Sequence, residues 1–247
     1  VKALDWKSFL QRDSFIHVVG KSAKSELFSV KDCQSITKKA IVENLRSAYG
    51  VTILPESGAE VIVEVGMFKN IATLCLDPCG AGLSRRGYRT YNVAAPISET
   101  LGAAIVTLTR YKGDYPFIDP MCGSGTILIE SALKALNIAP GLNRGFISEN
   151  WSQIPKEVWE EERQRAKSQI NKDCDFKAFG YDIDRDALNI ARENAYKAGV
   201  GDRITFEQRD IKDFSGDFPR GTVITNPPYG ERLLDIDKAR ELYKIMG

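Results

Sequence analysis

The sequence is poor in the residues that build metal sites and disulfide frameworks. His17 is the single histidine among 247 residues, and the five cysteines include one closely spaced pair, Cys75 and Cys79. A structural zinc site takes four ligands, commonly from two such pairs, so we expect no metal site. An odd number of cysteines without framework spacing predicts free thiols in a reducing cytoplasm.

The chain also has no long apolar run and no strong excess of charge. No segment approaches the roughly 20 apolar residues that span a bilayer, and no secretory signal is visible, so we expect a cytoplasmic protein without a membrane partner. The formal net charge of +1 predicts no partner by itself. Residues 1–50 hold nine Lys and Arg against five acids, a local excess that is compatible with phosphate contact.

Hydrophobic residues make up 43% of the chain, enough for a folded core. The order of predicted strands and helices changes near residues 84–95, which indicates a domain boundary there. We predict a small α+β domain over residues 1–90 and a second domain over residues 91–247. In the first, strands are predicted at 15–19, 60–65 and 71–76, a short helix opening at Ser25, and a helix over 32–49 ending at Gly50. A basic connector at residues 80–89, with Arg85, Arg86 and Arg89, leads from the first domain to the second. Its Tyr88 and Arg89 are predicted either to contact a nucleic acid or to pack the two domains.

From Pro96 onward, short β-branched or aromatic strands alternate with helices. Each strand ends in an acid or an amide: Asp119, Asp182, Asp210 and Asn226. Strand and helix in alternation predict a parallel, doubly wound α/β sheet. In such sheets ligands bind outside the carboxyl ends of the strands, so these four side chains are expected to line one crevice.

The first strand leads into a glycine-rich turn. Its residues are Asp119, Pro120, Met121, Cys122, Gly123, Ser124, Gly125 and Thr126. The glycines permit close backbone approach, but the pattern is neither G-x-G-x-x-G nor a phosphate loop, because the G-K-[ST] lysine is missing. A carboxylate at Asp119 repels a pyrophosphate and suits a cationic ligand, such as a sulfonium that bears an ammonium group. A plain helix-capping turn is the structural alternative.

The next two strand ends suit the nucleoside part of such a ligand. A carboxylate at Asp182 can accept both ribose hydroxyls, whereas Asp184 is predicted to cap the following helix. Asp210 could accept from an adenine amine, with a surface turn as its alternative role.

The fourth strand ends in Thr225-Asn226-Pro227-Pro228-Tyr229-Gly230. Two prolines stop the strand and hold one rigid shape. Asn226 and the Pro227 carbonyl offer acceptors for an exocyclic amine, and Tyr229 offers a ring on which an extruded base can stack. Together with the three acids, this pattern predicts transfer of a methyl group from S-adenosyl-L-methionine to a base nitrogen. A plain strand-to-turn stop is the alternative for this segment taken alone.

Three segments together resemble one family. Residues 119–126, 138–145 (Ile-Ala-Pro-Gly-Leu-Asn-Arg-Gly) and 226–233 (Asn-Pro-Pro-Tyr-Gly-Glu-Arg-Leu) resemble the bacterial large-subunit (23S) ribosomal RNA guanine-N2 methyltransferases, whose members are often labelled adenine-specific DNA methylases. The upstream region, with Arg85-Arg86-Gly87-Tyr88-Arg89, resembles the THUMP RNA-binding domain of that family.

The resemblance implies a role for each matching residue. It implies a Rossmann-like class I methyltransferase sheet, with S-adenosyl-L-methionine as the cofactor and large-subunit ribosomal RNA as the partner. The implied cofactor-binding residues are Thr100, in a segment near the methionine moiety, Asp119, Pro120, Cys122, Gly123, Ser124, Gly125, Thr126, Asp182 and Asp210. The residues implied to hold the target base are Asn226, Pro227, Pro228 and Tyr229.

One departure from the family pattern concerns the sheet. The resemblance implies seven strands, three of them after the Asn-Pro-Pro-Tyr turn, whereas only residues 230–247 follow that turn here. We expect one helix in that stretch, an incomplete sheet, and a THUMP region clipped before Val1.

Three other functions stay open at this point. Adenine-N6 methylation of DNA or RNA would use the same acceptors. A nicotinamide-dependent oxidoreductase would need the absent G-x-G-x-x-G pattern. A non-catalytic RNA-binding module with a vestigial cofactor fold would bind the cofactor without transferring its methyl group.

Overall fold

The computed structural model describes two compact units within residues 1–89, 96–109, 111, 113–215, 218–228 and 236–246. One unit comprises Val1–Gly82 and Gly145–Glu160, and the other comprises Leu83–Arg144 and Glu161–Gly247. The domain boundary predicted at residue 90 stays a prediction, since residues 90–95 lie outside the described part.

The first unit is a three-stranded sheet backed by one helix. Its elements are β1 (Phe15–Ala23), α1 (Val30–Tyr49), β2 (Glu60–Phe68) and β3 (Ile71–Asp77). β2 lies in the centre, parallel to β1 and antiparallel to β3. Every second residue of β2 is buried, and α1 turns Ile41 and Leu45 into the same core, as their spacing predicts.

The start of α1 differs from the prediction. The predicted short helix at Ser25 is wrong, because α1 begins at Val30 behind a cap in which Ser29 Oγ accepts the Asp32 N–H. Ser25 and Glu26 instead bind Asn70: Ser25 Oγ accepts the Asn70 N–H at 3.0 Å, and the Glu26 N–H donates to Asn70 Oδ1 at 2.8 Å. A serine that bonds a distant turn favours a loop over a helix start.

The second unit alternates strands and helices. In chain order the remaining strands and α-helices are α2 (Glu99–Leu108), β4 (Phe117–Asp119), α3 (Thr126–Ala135), α4 (Lys156–Ser168), β5 (Ala178–Asp182), α5 (Arg185–Lys197), β6 (Ile204–Gln208), β7 (Thr222–Val223) and α6 (Ile236–Met246). α4 contributes residues to both units. Among the described helices none is long and apolar enough to cross a membrane.

The sheet of this unit is wholly parallel, as predicted. Its described strands run in the order β6-β5-β4-β7, four strands where the family resemblance implies seven. The chain adds β5 and β6 on one side of β4 and then returns to pair β7 on the other side. The strand order therefore reverses between β4 and β7, the place where ligands of open α/β sheets bind. Phe117, Leu128 and Leu188 fill the core beside the sheet.

Candidate active site

The glycine-rich turn links the end of β4 to the start of α3. Gly123 and Gly125 have φ of 52° and 77°, values that side-chain-bearing residues rarely adopt. Gly125 stands at the N-cap of α3, and a Cβ there would lie 3.1 Å from the Ala191 Cβ and 3.3 Å from the Phe206 ring. Close packing and positive φ thus require glycine at position 125, and positive φ favours glycine at position 123, so the turn brings backbone without a Cβ to the strand ends at these two positions.

Three hydrogen bonds fix this turn. The Cys122 N–H donates to the Tyr181 carbonyl at 2.9 Å, and the Gly123 N–H donates to Asp182 Oδ2 at 2.8 Å. On the other side, Asn194 Nδ2 donates to the Ser124 carbonyl at 3.1 Å. The turn is therefore bound to the end of β5 and to α5, which gives it one shape before any ligand enters.

Asp182 holds the turn and keeps acceptor capacity. Its Oδ1 accepts the Asp184 N–H at 3.0 Å, while Oδ2 takes the Gly123 N–H. A carboxylate offers about four lone-pair sites, so two stay available for further donors. The predicted ribose role and this turn-holding role are compatible. Asp184 caps α5, as predicted, by accepting the N–H groups of Asp186 and Ala187.

Asp119 is buried at the end of β4, with 1% of its surface exposed. Burial raises the pKa of this carboxyl from 3.8 to about 7, against the opposing effect of the Thr225 hydroxyl and the Met121 N–H, and with a further contribution from the negative charge of Asp182. Near neutral pH the carboxyl is therefore poised between its two protonation states, and a cation beside it would favour the ionised form.

This raised pKa predicts a pH-dependent stability. Between about pH 4 and about pH 7 the folded state keeps a proton on Asp119 that an unfolded aspartate has already released. The stability that this proton binding contributes is therefore complete below about pH 4 and is lost as the pH rises to about 7. Asparagine resembles the protonated carboxyl. We expect Asp119→Asn to gain stability relative to the wild type between about pH 4 and about pH 7, by up to about 1.4 kcal/mol per pH unit, in urea unfolding. If the free energies of unfolding of the wild type and Asp119→Asn changed with pH in parallel, this account would be contradicted.

Cys122 lies within the turn but is not placed for nucleophilic chemistry. Its thiol is buried, and burial, together with the charges of Asp119 and Asp182, raises its pKa well above the usual value. A thiol that stays protonated is a weak nucleophile, so Cys122 serves as a small packing residue in the turn. Within the described residues no three metal-ligating side chains lie together.

Asp210 follows β6 at the same edge of the sheet. The neighbouring Arg209 N–H donates to the Asp182 carbonyl at 3.0 Å, so the ends of β5 and β6 stay together beyond the last strand residue. Asp210 Oδ1 accepts the Lys212 N–H at 3.0 Å, which is a turn-capping contact. Its predicted adenine contact stays a prediction.

The Asn-Pro-Pro segment begins beside Asp119. The Ile224 N–H donates to the Ile118 carbonyl at 2.9 Å, which carries the pairing of β7 with β4 past Val223. The side chain of the next residue, Thr225, lowers the pKa of the Asp119 carboxyl, although its hydroxyl is buried without a hydrogen-bond partner of standard geometry, and Asn226 follows directly. The glycine-rich turn and the tandem prolines therefore lie at the same edge, on adjoining strands. Tyr229 lies outside the described residues, so its predicted stacking role stays a prediction.

The basic connector is packed onto α3. The Tyr88 side chain is 2% exposed, and its hydroxyl donates to Glu130 Oε1 at 2.9 Å. Arg86 Nε lies 2.8 Å from the same oxygen. Burial raises the pKa of Glu130 to about 7, although Arg86 and Tyr88 oppose the rise. Tyr88 and α3 belong to the same unit, so these contacts do not test the predicted packing of the two domains. The burial leaves Tyr88 little surface for contact with a nucleic acid. No spacing rule in the sequence links the connector to Glu130.

Comparison with known proteins connects this geometry to a family. Residues 86–247 match the UPF0020 family, described as "RMKL-like, methyltransferase domain", and residues 1–77 match the THUMP domain. A relative from Bacillus subtilis, "Putative RNA methyltransferase YpsC", is 48% identical over 248 residues, which are 100% of this chain and 64% of the relative.

Solved structures show the same fold over nearly the whole chain. The structure of "a predicted N6-adenine-specific DNA methylase" from Listeria monocytogenes is 49% identical with a TM-score of 0.94, and the match covers 99% of this chain and 65% of that one. The structure of "SMU.472, a putative methyltransferase complexed with SAH" is 40% identical with a TM-score of 0.93 and the same coverage. This chain thus spans about two thirds of the length of its relatives. It belongs to the UPF0020 family of RMKL-like methyltransferase domains and carries a THUMP domain ahead of that domain.

Proposed function

We propose that this chain belongs to an enzyme that transfers a methyl group from S-adenosyl-L-methionine to an exocyclic amine of a base in RNA, namely guanine N2 of large-subunit ribosomal RNA. The observation that carries the proposal is the row of acceptors at one sheet edge: Asp119 and Asp182 around a glycine turn, with Asn226 on the adjoining strand. The complex of the similar SMU.472 structure with SAH supports the same cofactor here.

The residues present fit this cofactor. The turn at Gly123–Gly125 has two glycines around a buried Ser124 and is held in one shape, so its backbone can approach a ligand closely. Asp182 keeps lone pairs for the ribose hydroxyls, and Asp210 stands at the next strand end for the adenine amine. The Asp119 carboxyl is buried and has a pKa of about 7. The ammonium group at the methionine end of the cofactor would hold this carboxyl ionised. When bound, the cofactor supplies an electrophilic methyl group on a sulfonium.

The chain itself orients the acceptor nitrogen. Asn226 Oδ1 and the Pro227 carbonyl would accept the two N–H groups of the amine, which aims its lone pair toward the sheet edge. Hydrogen bonding of both N–H groups also favours a more tetrahedral nitrogen, the geometry of the transition state. Little acid–base chemistry is needed, because the amine loses its proton readily to water after it has been alkylated.

Three observations favour RNA as the substrate. Residues 1–77 form a THUMP domain, and the Bacillus subtilis relative bears the name of an RNA methyltransferase. The surplus of basic residues in 1–50 suits contact with phosphates. Adenine-N6 methylation is the second candidate, because the Listeria structure is named for it and an adenine amine would meet the same two acceptors.

A transfer assay tests the proposal. Tritiated S-adenosyl-L-methionine would be incubated with the protein and unmodified large-subunit ribosomal RNA, and the RNA would then be digested to nucleosides. We expect label in N2-methylguanosine. Label in N6-methyladenosine, from RNA or from duplex DNA offered in parallel, would favour the second candidate. Tight binding of S-adenosylhomocysteine without any labelled nucleoside would indicate a non-catalytic RNA-binding module.

A further inference from the structure

Arg89 is a largely buried arginine that links two elements beside the glycine turn. Its Nη2 donates to the Ile97 carbonyl at 2.8 Å and to the Thr126 hydroxyl at 2.5 Å. Its Nε lies 3.6 Å from Glu99 Oε1, with 12% of the arginine and 9% of the glutamate side chain exposed. The guanidinium therefore contacts the start of α2 and the start of α3 at the same time.

The contact with α3 falls where the helix lacks a cap of its own. Thr126 is the first residue of α3, and Gly125, at the N-cap, has no side chain that could bond the first turn. The two helix starts are already close, since a Cβ on Gly102 would lie 3.3 Å from the Thr126 Cγ2. Arg89 thus fixes the position of α3 directly after the Gly123–Gly125 turn.

The charge of Arg89 is already engaged within the protein. Glu99 stands beside the guanidinium, and both side chains are almost wholly buried. A paired, buried guanidinium is poorly suited to capture a ligand anion, because it would have to leave Glu99 as an unpaired buried charge. Any effect of Arg89 on a ligand must therefore pass through the elements that it holds.

A second buried ion pair offers a comparison on the same helix. Arg86 Nε lies 2.8 Å from Glu130 Oε1, with 12% and 3% of the two side chains exposed. Glu130 lies one helical turn beyond Thr126 and so farther from the glycine turn. Both pairs are expected to stabilise the fold, but only the Arg89 pair reaches the residue next to the turn.

We propose that Arg89 is a positioning residue for the methionine end of S-adenosyl-L-methionine, acting through Thr126 on the Gly123–Gly125 turn. This inference rests on the proposed function, since it assumes that the turn receives that end of the cofactor. It gives part of the basic connector a role in cofactor binding, distinct from any contact with RNA.

Calorimetric titration of the full chain with S-adenosylhomocysteine, together with thermal unfolding, tests the inference. Arg89→Gln and Arg86→Gln each leave one buried glutamate without its arginine, so both are expected to lower the melting temperature. At a temperature well below both transitions, Arg89→Gln is expected to bind S-adenosylhomocysteine about tenfold more weakly than the wild type, the effect of a lost charge-assisted hydrogen bond. Arg86→Gln is expected to bind it as the wild type does.

Thr126→Val keeps the inference testable where Arg89→Gln fails to fold. It removes the hydroxyl that accepts from Arg89 and that lies 3.4 Å from Ser124 Oγ in the turn, and it is expected to weaken binding in the same direction. If Arg89 acts through Thr126, the variant that combines Arg89→Gln and Thr126→Val has the same affinity as whichever single variant binds S-adenosylhomocysteine more weakly. Equal affinities of the wild type and Arg89→Gln, equal losses in Arg86→Gln and Arg89→Gln, or additive losses in the double variant would overturn the positioning role. A wild-type chain that fails to bind S-adenosylhomocysteine would instead contradict the proposed function.

Discussion

An Asn226→Ala variant is expected to lose methyl transfer by about a hundredfold or more while it binds S-adenosylhomocysteine with unchanged affinity. Removing one preorganised hydrogen-bonding group that acts on the reacting centre typically costs about 100- to 1,000-fold in rate. Alanine leaves one N–H of the amine without its acceptor and lets the base rotate away from the methyl group. The measurement is the initial rate of tritium transfer to unmodified ribosomal RNA at saturating cofactor.

Asn226→Asp is the matched variant for this prediction. A carboxylate of the same size still accepts an N–H, so its rate is expected to lie between those of the wild type and Asn226→Ala. A rate in Asn226→Ala equal to that of the wild type would remove Asn226 from the amine-holding role. So would a loss of transfer that merely follows a loss of cofactor affinity.

Replacement of Asp182 by alanine is expected to weaken S-adenosylhomocysteine binding by about a hundredfold. Two losses combine. The ribose hydroxyls lose their proposed acceptor, and the Gly123 N–H loses the Oδ2 partner that holds the glycine turn at 2.8 Å. A hydrogen bond to a charged group is worth about 1.5–3 kcal/mol, so one or two such bonds give an effect of this size. Isothermal titration with S-adenosylhomocysteine measures it.

Asp184→Ala is the control for that variant. Asp184 stands two residues farther along and accepts the N–H groups of Asp186 and Ala187 at the start of α5. Its loss should cost about 1 kcal/mol of stability, the usual cost of a helix cap. Its effect on cofactor affinity should be small, because its side-chain hydrogen bonds go to α5 and not to the turn, and alanine keeps the backbone N–H that donates to Asp182. If both variants bind with wild-type affinity, Asp182 has no ribose role.

The architecture of the second unit followed from its sequence because each signal was local. Polar residues directly after short buried runs predicted the strand ends. Ser98 and Asp184 cap the starts of α2 and α5 with their side chains, and Gly125 ends the turn that leads into α3. Once the sheet is parallel, the strand ends must share an edge. The common edge of the Asp119 turn and the Asn226 turn was therefore predictable, whereas the hydrogen bond that joins Asp182 to Gly123 was not.

What escaped prediction depends on contacts between residues far apart in the chain. The segment Gly145–Glu160 packs with the first unit through bonds such as Trp151 Nε1 to the Glu60 carbonyl at 2.9 Å, a pairing that no periodicity reveals. The predicted helix at Ser25 failed for the same reason, because a distant asparagine competed for the backbone of that segment. Burial of Arg89 likewise became visible only when its partners on α2 and α3 were in place.

The most direct test of this account is a crystal structure of the chain with S-adenosylhomocysteine bound. The account predicts that the ribose hydroxyls lie on Asp182, the homocysteine end lies against Gly123–Gly125, and the sulfur faces the Asn226 side chain across the ends of β4 and β7. Density for S-adenosylhomocysteine at any other edge of the sheet, or with its sulfur turned away from Asn226, would contradict it.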